Sequence, residues 1–175
     1  MKYFLTFILI FFSFHTQSKL IQGELIVDGF VKNPTCSIIL PPEEIDLGSY
    51  TPRDLIVGNT KVVNLHITVD CASSYSNGEF RGIYLNLMPL PFSPAIGSAV
   101  PGAMKTNLTG VGVQLSWDYN FGRLEFGENI NSFHSSTGIF NIDISSKLIA
   151  IGSLLEENIG KGTAKAGMVI SLSYF

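Results

Sequence analysis

The amino-acid sequence predicts an all-β protein built as a β-sandwich. Short apolar stretches with period-two alternation recur between turn-forming residues, which is typical of strands. No segment carries a helical period over a dozen residues. The final stretch, Gly162–Phe175, predicts a strand with one face in a core, because its large apolar residues fall on alternate positions: Met168, Ile170, Leu172 and Tyr174.

The place of this strand in the sequence raises the question of what pairs with it. Phe175 is the last residue, so no later segment can occupy its free edge. Nearly all backbone N–H and C=O groups of a stable fold have partners, and a long apolar strand at an open edge promotes aggregation. We therefore expect an earlier strand or another chain to pair with Gly162–Phe175.

The start of the chain has the pattern of a secretory signal peptide. Lys2 is followed by an apolar run from Phe4 to Phe14, and Thr16–Ser18 supplies small residues for cleavage. The run is shorter than the roughly 20 residues of a membrane-spanning helix. We predict a signal peptide over residues 1–18, followed by one exported domain.

The first segment after the signal peptide predicts a strand with one uncharged face. Leu25, Val27, Gly29 and Val31 lie on that face, and Gly29 leaves a notch where another group can approach closely. Asn33-Pro34 then breaks the strand.

The rest of the chain predicts further strands separated by turns and loops. Leu124–Phe126 is expected to form a short hairpin with the strand Val111–Trp117, and Met88–Gly102 is expected to be an irregular loop. The other expected strands are Thr35–Leu40, Glu43–Gly48, Lys61–Cys71, Arg81–Leu87 and Phe140–Ile151.

Two cysteines, Cys36 and Cys71, lie in the exported part and predict one disulfide. A metal site is disfavoured, because no His or further Cys lies at ligand spacing from either one.

The sequence shows no nucleophile, zinc or phosphate-loop motif, so we expect neither an enzyme nor a bound cofactor. The net charge of −3 without a basic patch argues against nucleic acid. No second apolar stretch is long enough for an integral membrane protein. The triplet beginning at Asn107 fits an N-glycosylation acceptor, which arises often by chance.

Taken together, these features resemble the pilin subunits of chaperone–usher fimbriae, the group of type 1 and P pilus subunits. The resemblance covers essentially the whole exported chain. It rests on the signal peptide, the stretch Leu25–Val31, a cysteine after a proline, Ile45–Gly48, the strand ending at Cys71, the Gly-rich entry Thr109–Leu115, and the C-terminal strand with Gly162 and penultimate Tyr174. Two features depart from the pattern: Val169 and Phe175 add apolar bulk to a usually polar face, and Met88–Gly102 matches no family element.

The resemblance implies an immunoglobulin-like sandwich that lacks its seventh, C-terminal strand, in a pilin domain over residues 35–175. The missing strand leaves a groove beside the last strand, and the residues implied for groove and chaperone binding are Gly162, Met168, Ile170, Leu172, Tyr174 and Phe175. A periplasmic chaperone, and later the N-terminal extension of a neighbouring subunit, fills that groove by donor-strand complementation. In this chain the donor extension is residues 19–34, with Leu25, Val27, Gly29 and Val31 as its docking face.

The implied function is a structural fimbrial subunit that supports adhesion, passes through the periplasm and an outer-membrane usher, and ends on the cell surface. In the assembled fibre the extension is expected to enter a neighbour's groove. A carbohydrate-binding tip adhesin is the alternative, with Trp117, Tyr119 and Phe121 as residues that could stack on a sugar.

Overall fold

The computed structural model describes residues 21–31, 36–40, 44–72, 83–117, 124–128, 130–133, 138–152 and 154–174. The predicted signal peptide lies outside this part of the chain, so its cleavage and the boundary at residue 18 stay predictions. The boundary between extension and pilin domain, at residues 34 and 35, also lies outside it.

Short strands make up most of the described residues, as the alternating sequence pattern predicts. They are β1 (Ile21–Val31), β2 (Ser37–Ile39), β3 (Glu44–Tyr50), β4 (Val63–Asp70), β5 (Ile83–Pro89), β6 (Ala103–Lys105), β7 (Val111–Trp117), β8 (Ile130–Phe133), β9 (Ile139–Ala150) and β10 (Thr163–Tyr174). One short helix, α1 (Pro52–Val57), follows β3, and a 3-10 turn, Glu156–Asn158, precedes β10.

The strands form two five-stranded sheets that enclose one core. The first sheet has the order β3-β1-β10-β5-β8, and the second has the order β2-β4-β9-β7-β6. The prediction of an all-β, two-sheet fold is confirmed. The pairing of β1 with β10 is parallel, whereas the other named pairings are antiparallel.

The core lies between the inward faces of the two sheets, as alternation requires. In β4 the buried residues are Leu65, Ile67 and Val69, the face expected from the sequence. They face buried side chains of the other sheet that include Leu25, Leu47, Leu85 and Leu87.

Cys36 and Cys71 form the predicted disulfide, with their Cα atoms 4.2 Å apart. Cys36 immediately precedes β2 and Cys71 immediately follows β4. The bond therefore ties the start of one strand to the end of its antiparallel neighbour, inside the core, where both cysteines are buried.

The structure corrects the expected hairpin partner of β7. Leu124–Phe126 is not a strand; β6, which directly follows the stretch expected to be a loop, pairs with β7 instead. Leu124 is nevertheless buried in the core. Its apolar character, which suggested a strand, is explained by that burial alone.

Helix α1 was not predicted, because the sequence has no long helical period. Thr51 caps it: its hydroxyl accepts from the Asp54 backbone N–H at 3.2 Å, while the Asp54 carboxylate accepts from the Thr51 backbone N–H at 2.9 Å. Pro52 occupies the first turn and Gly58 ends the helix with a positive φ of 77°. These are the standard start and stop signals of a helix, so the local sequence did contain the information.

Candidate strand-docking groove

Both edges of β10 are paired, so the open edge that the sequence left unexplained is filled by earlier strands. β5 pairs with one edge from Met168 to Tyr174. Where β5 ends, the Leu90 N–H donates to the Gly167 carbonyl at 2.9 Å. Beyond that, the Asn107 side chain accepts from the Lys165 N–H at 2.6 Å and donates to the Thr163 carbonyl at 3.1 Å.

The other edge of β10 is covered by β1 of the same chain. Ten consecutive residues, Gln22 to Val31, align in parallel with Thr163 to Leu172. On its far side β1 pairs antiparallel with β3, from Ile21–Tyr50 to Ile26–Glu44. The segment that the sequence marked as a donor extension thus lies between β3 and β10, and without it these two strands would border a groove. In the single chain the groove is filled from within.

The inward face of β10 forms one wall of this groove. The predicted alternation is correct for Met168, Ile170 and Leu172, each of which is at most 2% exposed. Ala164 and Ala166 continue the same buried face toward the start of the strand, although sequence reasoning did not single them out. Their small size makes them weak signals in a hydrophobic pattern.

The remaining residues predicted for the groove, Gly162, Tyr174 and Phe175, lie at the two ends of the predicted strand. Gly162 lies just before β10 and has a positive φ of 135°, a backbone conformation that favours glycine. Tyr174 ends β10, where its backbone pairs with Ile83. Phe175 lies outside the described residues.

The face of β1 expected to dock is directed into the core at its centre. Leu25 is fully buried and Val27 is 2% exposed. Gly29 lies at the exposed end of the strand, next to the side chain of Leu40, and the Val31 backbone pairs with Leu172. Gly23, which the sequence analysis did not include, is also buried on this face.

A charged pair on the outer side joins β1 to β10. The Glu24 carboxylate lies 3.0 Å from the Lys165 ammonium, and the two residues are direct register partners. The hydrogen bond from Lys165 holds the pKa of Glu24 below its ordinary value, with a further contribution from Glu44 on β3. The same hydrogen bond raises the pKa of Lys165. The pair therefore favours this parallel register at neutral pH.

The loop after β5 covers the outer side of β10 at Gly167. A Cβ atom at Gly167 would lie 2.7 Å from Leu90 Cδ1 and 2.9 Å from Phe92 Cζ, so a side chain there would have to displace the ends of these two side chains. Met88 is the register partner of Val169 on this same outer face. The two departures from the family pattern, an apolar residue at 169 and the unusual loop, thus lie side by side.

Trp117, which could stack on a sugar, and the histidine His66 lie in strands of the second sheet and take no part in the groove. His66 lies on an exposed strand face, 2.5 Å from the Asp143 carboxylate. Trp117 is half-buried against the core, and Tyr119 and Phe121 lie outside the described residues. Among the described residues no cluster of His, Cys, Asp or Glu could hold a metal ion, and none of their helices is long and apolar enough to cross a membrane.

Comparisons with known proteins give a fold but no sequence family. No family model and no curated protein matches the sequence. Among solved structures, the P pilus rod subunit PapA is similar over 81% of this chain and 99% of its own, with a TM-score of 0.62 and 17% identity. A chaperone–usher pilus, described in connection with rod uncoiling, is similar over 85% of this chain and 92% of its own, with a TM-score of 0.64 and 18% identity.

The chain therefore has the fold of a chaperone–usher pilin subunit, and the all-β, two-sheet fold expected from the sequence resemblance is confirmed. More particularly, its architecture is similar to that of the P pilus rod subunit, 99% of which is covered by the match. At this level of identity the likeness establishes the fold.

Proposed function

We propose that this chain is a structural subunit of a chaperone–usher fimbria and that it assembles by exchanging β1 between copies. The observation that carries the proposal is the position of β1. A segment at the start of the exported chain fills a strand position between β3 and β10 and contributes Leu25 and Val27 to the core. A neighbour's identical segment can make the same contacts.

Such an exchange connects each subunit to the next in one direction. A chain that donates β1 to one neighbour has an empty groove that accepts β1 from another. The contact is head-to-tail and does not close on itself, so it propagates as a filament. The backbone ladder supplies affinity in this mode, and alternate side chains in the groove supply specificity.

The same geometry explains the partners that we propose. Removing β1 would expose the inward face of β10 and open two strand edges, a surface that promotes aggregation. We propose that a periplasmic chaperone covers this surface with a strand of its own and that an outer-membrane usher receives the subunit for export to the cell-surface fimbrium. The proposal includes no catalytic step and no cofactor.

Two full-length variants with opposite defects test the exchange. Val27→Asp damages the donor strand and leaves the groove walls intact, whereas Ala166→Asp damages the groove and leaves β1 intact. Neither should polymerise alone. Produced together with distinguishable tags, they should copurify, because the intact β1 of the second chain can enter the intact groove of the first.

A matched control replaces the exposed, outward-facing Asp28 with Ala, which should assemble like the natural chain. The proposal fails if the natural chain forms filaments visible by electron microscopy while the two defective variants never copurify. It also fails if the Val27→Asp chain polymerises as readily as the Asp28→Ala chain.

A further inference from the structure

At the end of the groove near Gly23, a row of small residues crosses three neighbouring strands, and a large side chain from the facing sheet packs against Gly23. Gly48, Gly23 and Ala164 lie side by side across β3, β1 and β10. Leu148, from β9 of the facing sheet, is fully buried and fills the space that a side chain at Gly23 would occupy. A Cβ atom on Gly23 would lie 2.8 Å from Leu148 Cγ and 3.0 Å from Cδ2, and would overlap Cδ1.

The other end of the docking face has a similar but softer contact. A Cβ atom on Gly29 would lie 2.9 Å from Leu40 Cδ2 and 3.1 Å from Cγ, and would overlap Cδ1. Leu40 is half-buried and can turn aside, whereas Leu148 is enclosed on all sides. Neither glycine has a positive φ, so available space rather than backbone conformation excludes a side chain at both positions. Gly23 is therefore the more stringent position.

Between the two glycines, each larger side chain on one strand is paired with a smaller one on the neighbouring strand, across β1 and β10. Leu25, the larger residue, is the register partner of Ala166, and Val27, the smaller one, is the partner of Met168. Moving the strand by two residues would press Leu25 against Leu148. Moving it by one residue would turn Glu24 and Asp28 toward the core.

We propose that Leu148 acts as a register stop that restricts the groove to strands with the pattern Gly-x-Leu-x-Val-x-Gly, with Gly23 as the determinant of selection. The occupant that fits is β1 of this chain, either its own or that of a second copy. Selection of a second copy rests on the proposed function, whereas the steric rule itself applies to the single chain.

A double-mutant cycle in the full chain tests the steric rule. Gly23→Val adds three carbons to the strand, and Leu148→Ala removes three from the stop, so the pair is matched in volume. Gly23→Val alone should lower the melting temperature by about 3–10 °C, and Leu148→Ala alone by about 5–15 °C. Combined, they should cost at least about 4 °C less than the sum of the two. Gly29→Val is the control and should cost less than Gly23→Val.

Additive effects in this cycle, or a Gly29→Val change that costs more than Gly23→Val, would overturn the register stop. If the Gly23→Val chain does not fold, the same cycle is run with Gly23→Ala, for which the same sign of coupling is required.

Exchange between tagged chains then tests selection of a second copy. A chain with the natural groove should copurify with natural β1 at least about tenfold more than with Gly23→Val β1, and a Leu148→Ala chain should lose that preference. Equal copurification with both strands in the natural groove overturns the selection. Failure of every pair to exchange, natural chains included, overturns the proposed function and the selection with it, while the melting-temperature cycle still decides the steric rule.

Discussion

Replacing Val27 by Asp is the most direct test of the structural role of β1. Val27 is 2% exposed and is the register partner of Met168. The change forfeits the burial of the valine, about 1.5–3 kcal/mol. It also places a carboxyl group in an apolar site, where desolvation raises its pKa. Keeping that carboxyl neutral at pH 7, against an ordinary pKa near 3.9, costs about 4 kcal/mol at roughly 1.4 kcal/mol per pH unit.

The two terms together give a loss of roughly 5–7 kcal/mol, comparable with the whole stability of many domains. For a chain of this size, we expect the melting temperature to fall by about 10–25 °C at pH 7. The loss should shrink as the pH falls toward 4, because the folded state of the variant already carries the proton and the unfolded state takes it up only near its ordinary pKa. Asp28→Ala, on the exposed face of the same strand, should change the melting temperature by less than about 2 °C.

The fluorescence of Trp117, the single tryptophan of the chain, provides the assay, since this residue packs against the core. Thermal and urea unfolding are followed from pH 4 to pH 7 for the natural chain and both variants. The reasoning is refuted if Val27→Asp melts within about 2 °C of Asp28→Ala. It is also refuted if the difference between Val27→Asp and the natural chain does not depend on pH.

Three further predictions follow from the contacts around β1, β10 and the disulfide. Cys36→Ser or Cys71→Ser should destabilise the chain by roughly 3–4 kcal/mol, given the sequence separation of 35 residues, and should make its melting temperature insensitive to a reductant. Glu24→Gln should cause a small loss of stability at pH 7 that disappears in acid. The lowered pKa of Glu24 stabilises the folded state above the ordinary carboxyl range, and this stabilisation is lost as the pH falls through the folded-state pKa. An equal difference in stability between the variant and the natural chain at pH 7 and pH 3 would contradict this prediction. Asn107→Ala should cost about 1–2 kcal/mol and speed hydrogen exchange at the Lys165 amide, whose acceptor it removes; unchanged exchange there would show that the side chain does not hold β10.

The strands of the fold were predictable because alternation directly reports which side chains face the core. β4 and the inward residues Met168, Ile170 and Leu172 of β10 follow the period-two rule without exception. The disulfide was predictable from the cysteine count and the predicted export alone. Helix α1 was missed because six residues are too few to establish a helical period, although the capping residues at both ends marked it.

The groove was harder to predict because its shape depends on residues that are distant in sequence. Gly23 is an unremarkable glycine until β9 brings Leu148 against it. Asn107 matched only a glycosylation triplet, yet its side chain completes the edge of β10 beyond the end of β5. Neither role leaves a local signal, because each follows from the pairing of whole strands.

Under the proposed function, the self-docked position of β1 also determines what assembly requires. Exchange replaces one set of contacts by the same set from another copy, so the contacts themselves favour neither state. A tethered strand reaches its own groove at an effective concentration that is about millimolar for short links. A neighbour's strand must therefore arrive at a comparable local concentration or find the groove already emptied of β1. Under the proposed function, a chaperone that holds the groove before β1 can fold back removes this competition, and an usher that brings two subunits together raises the local concentration.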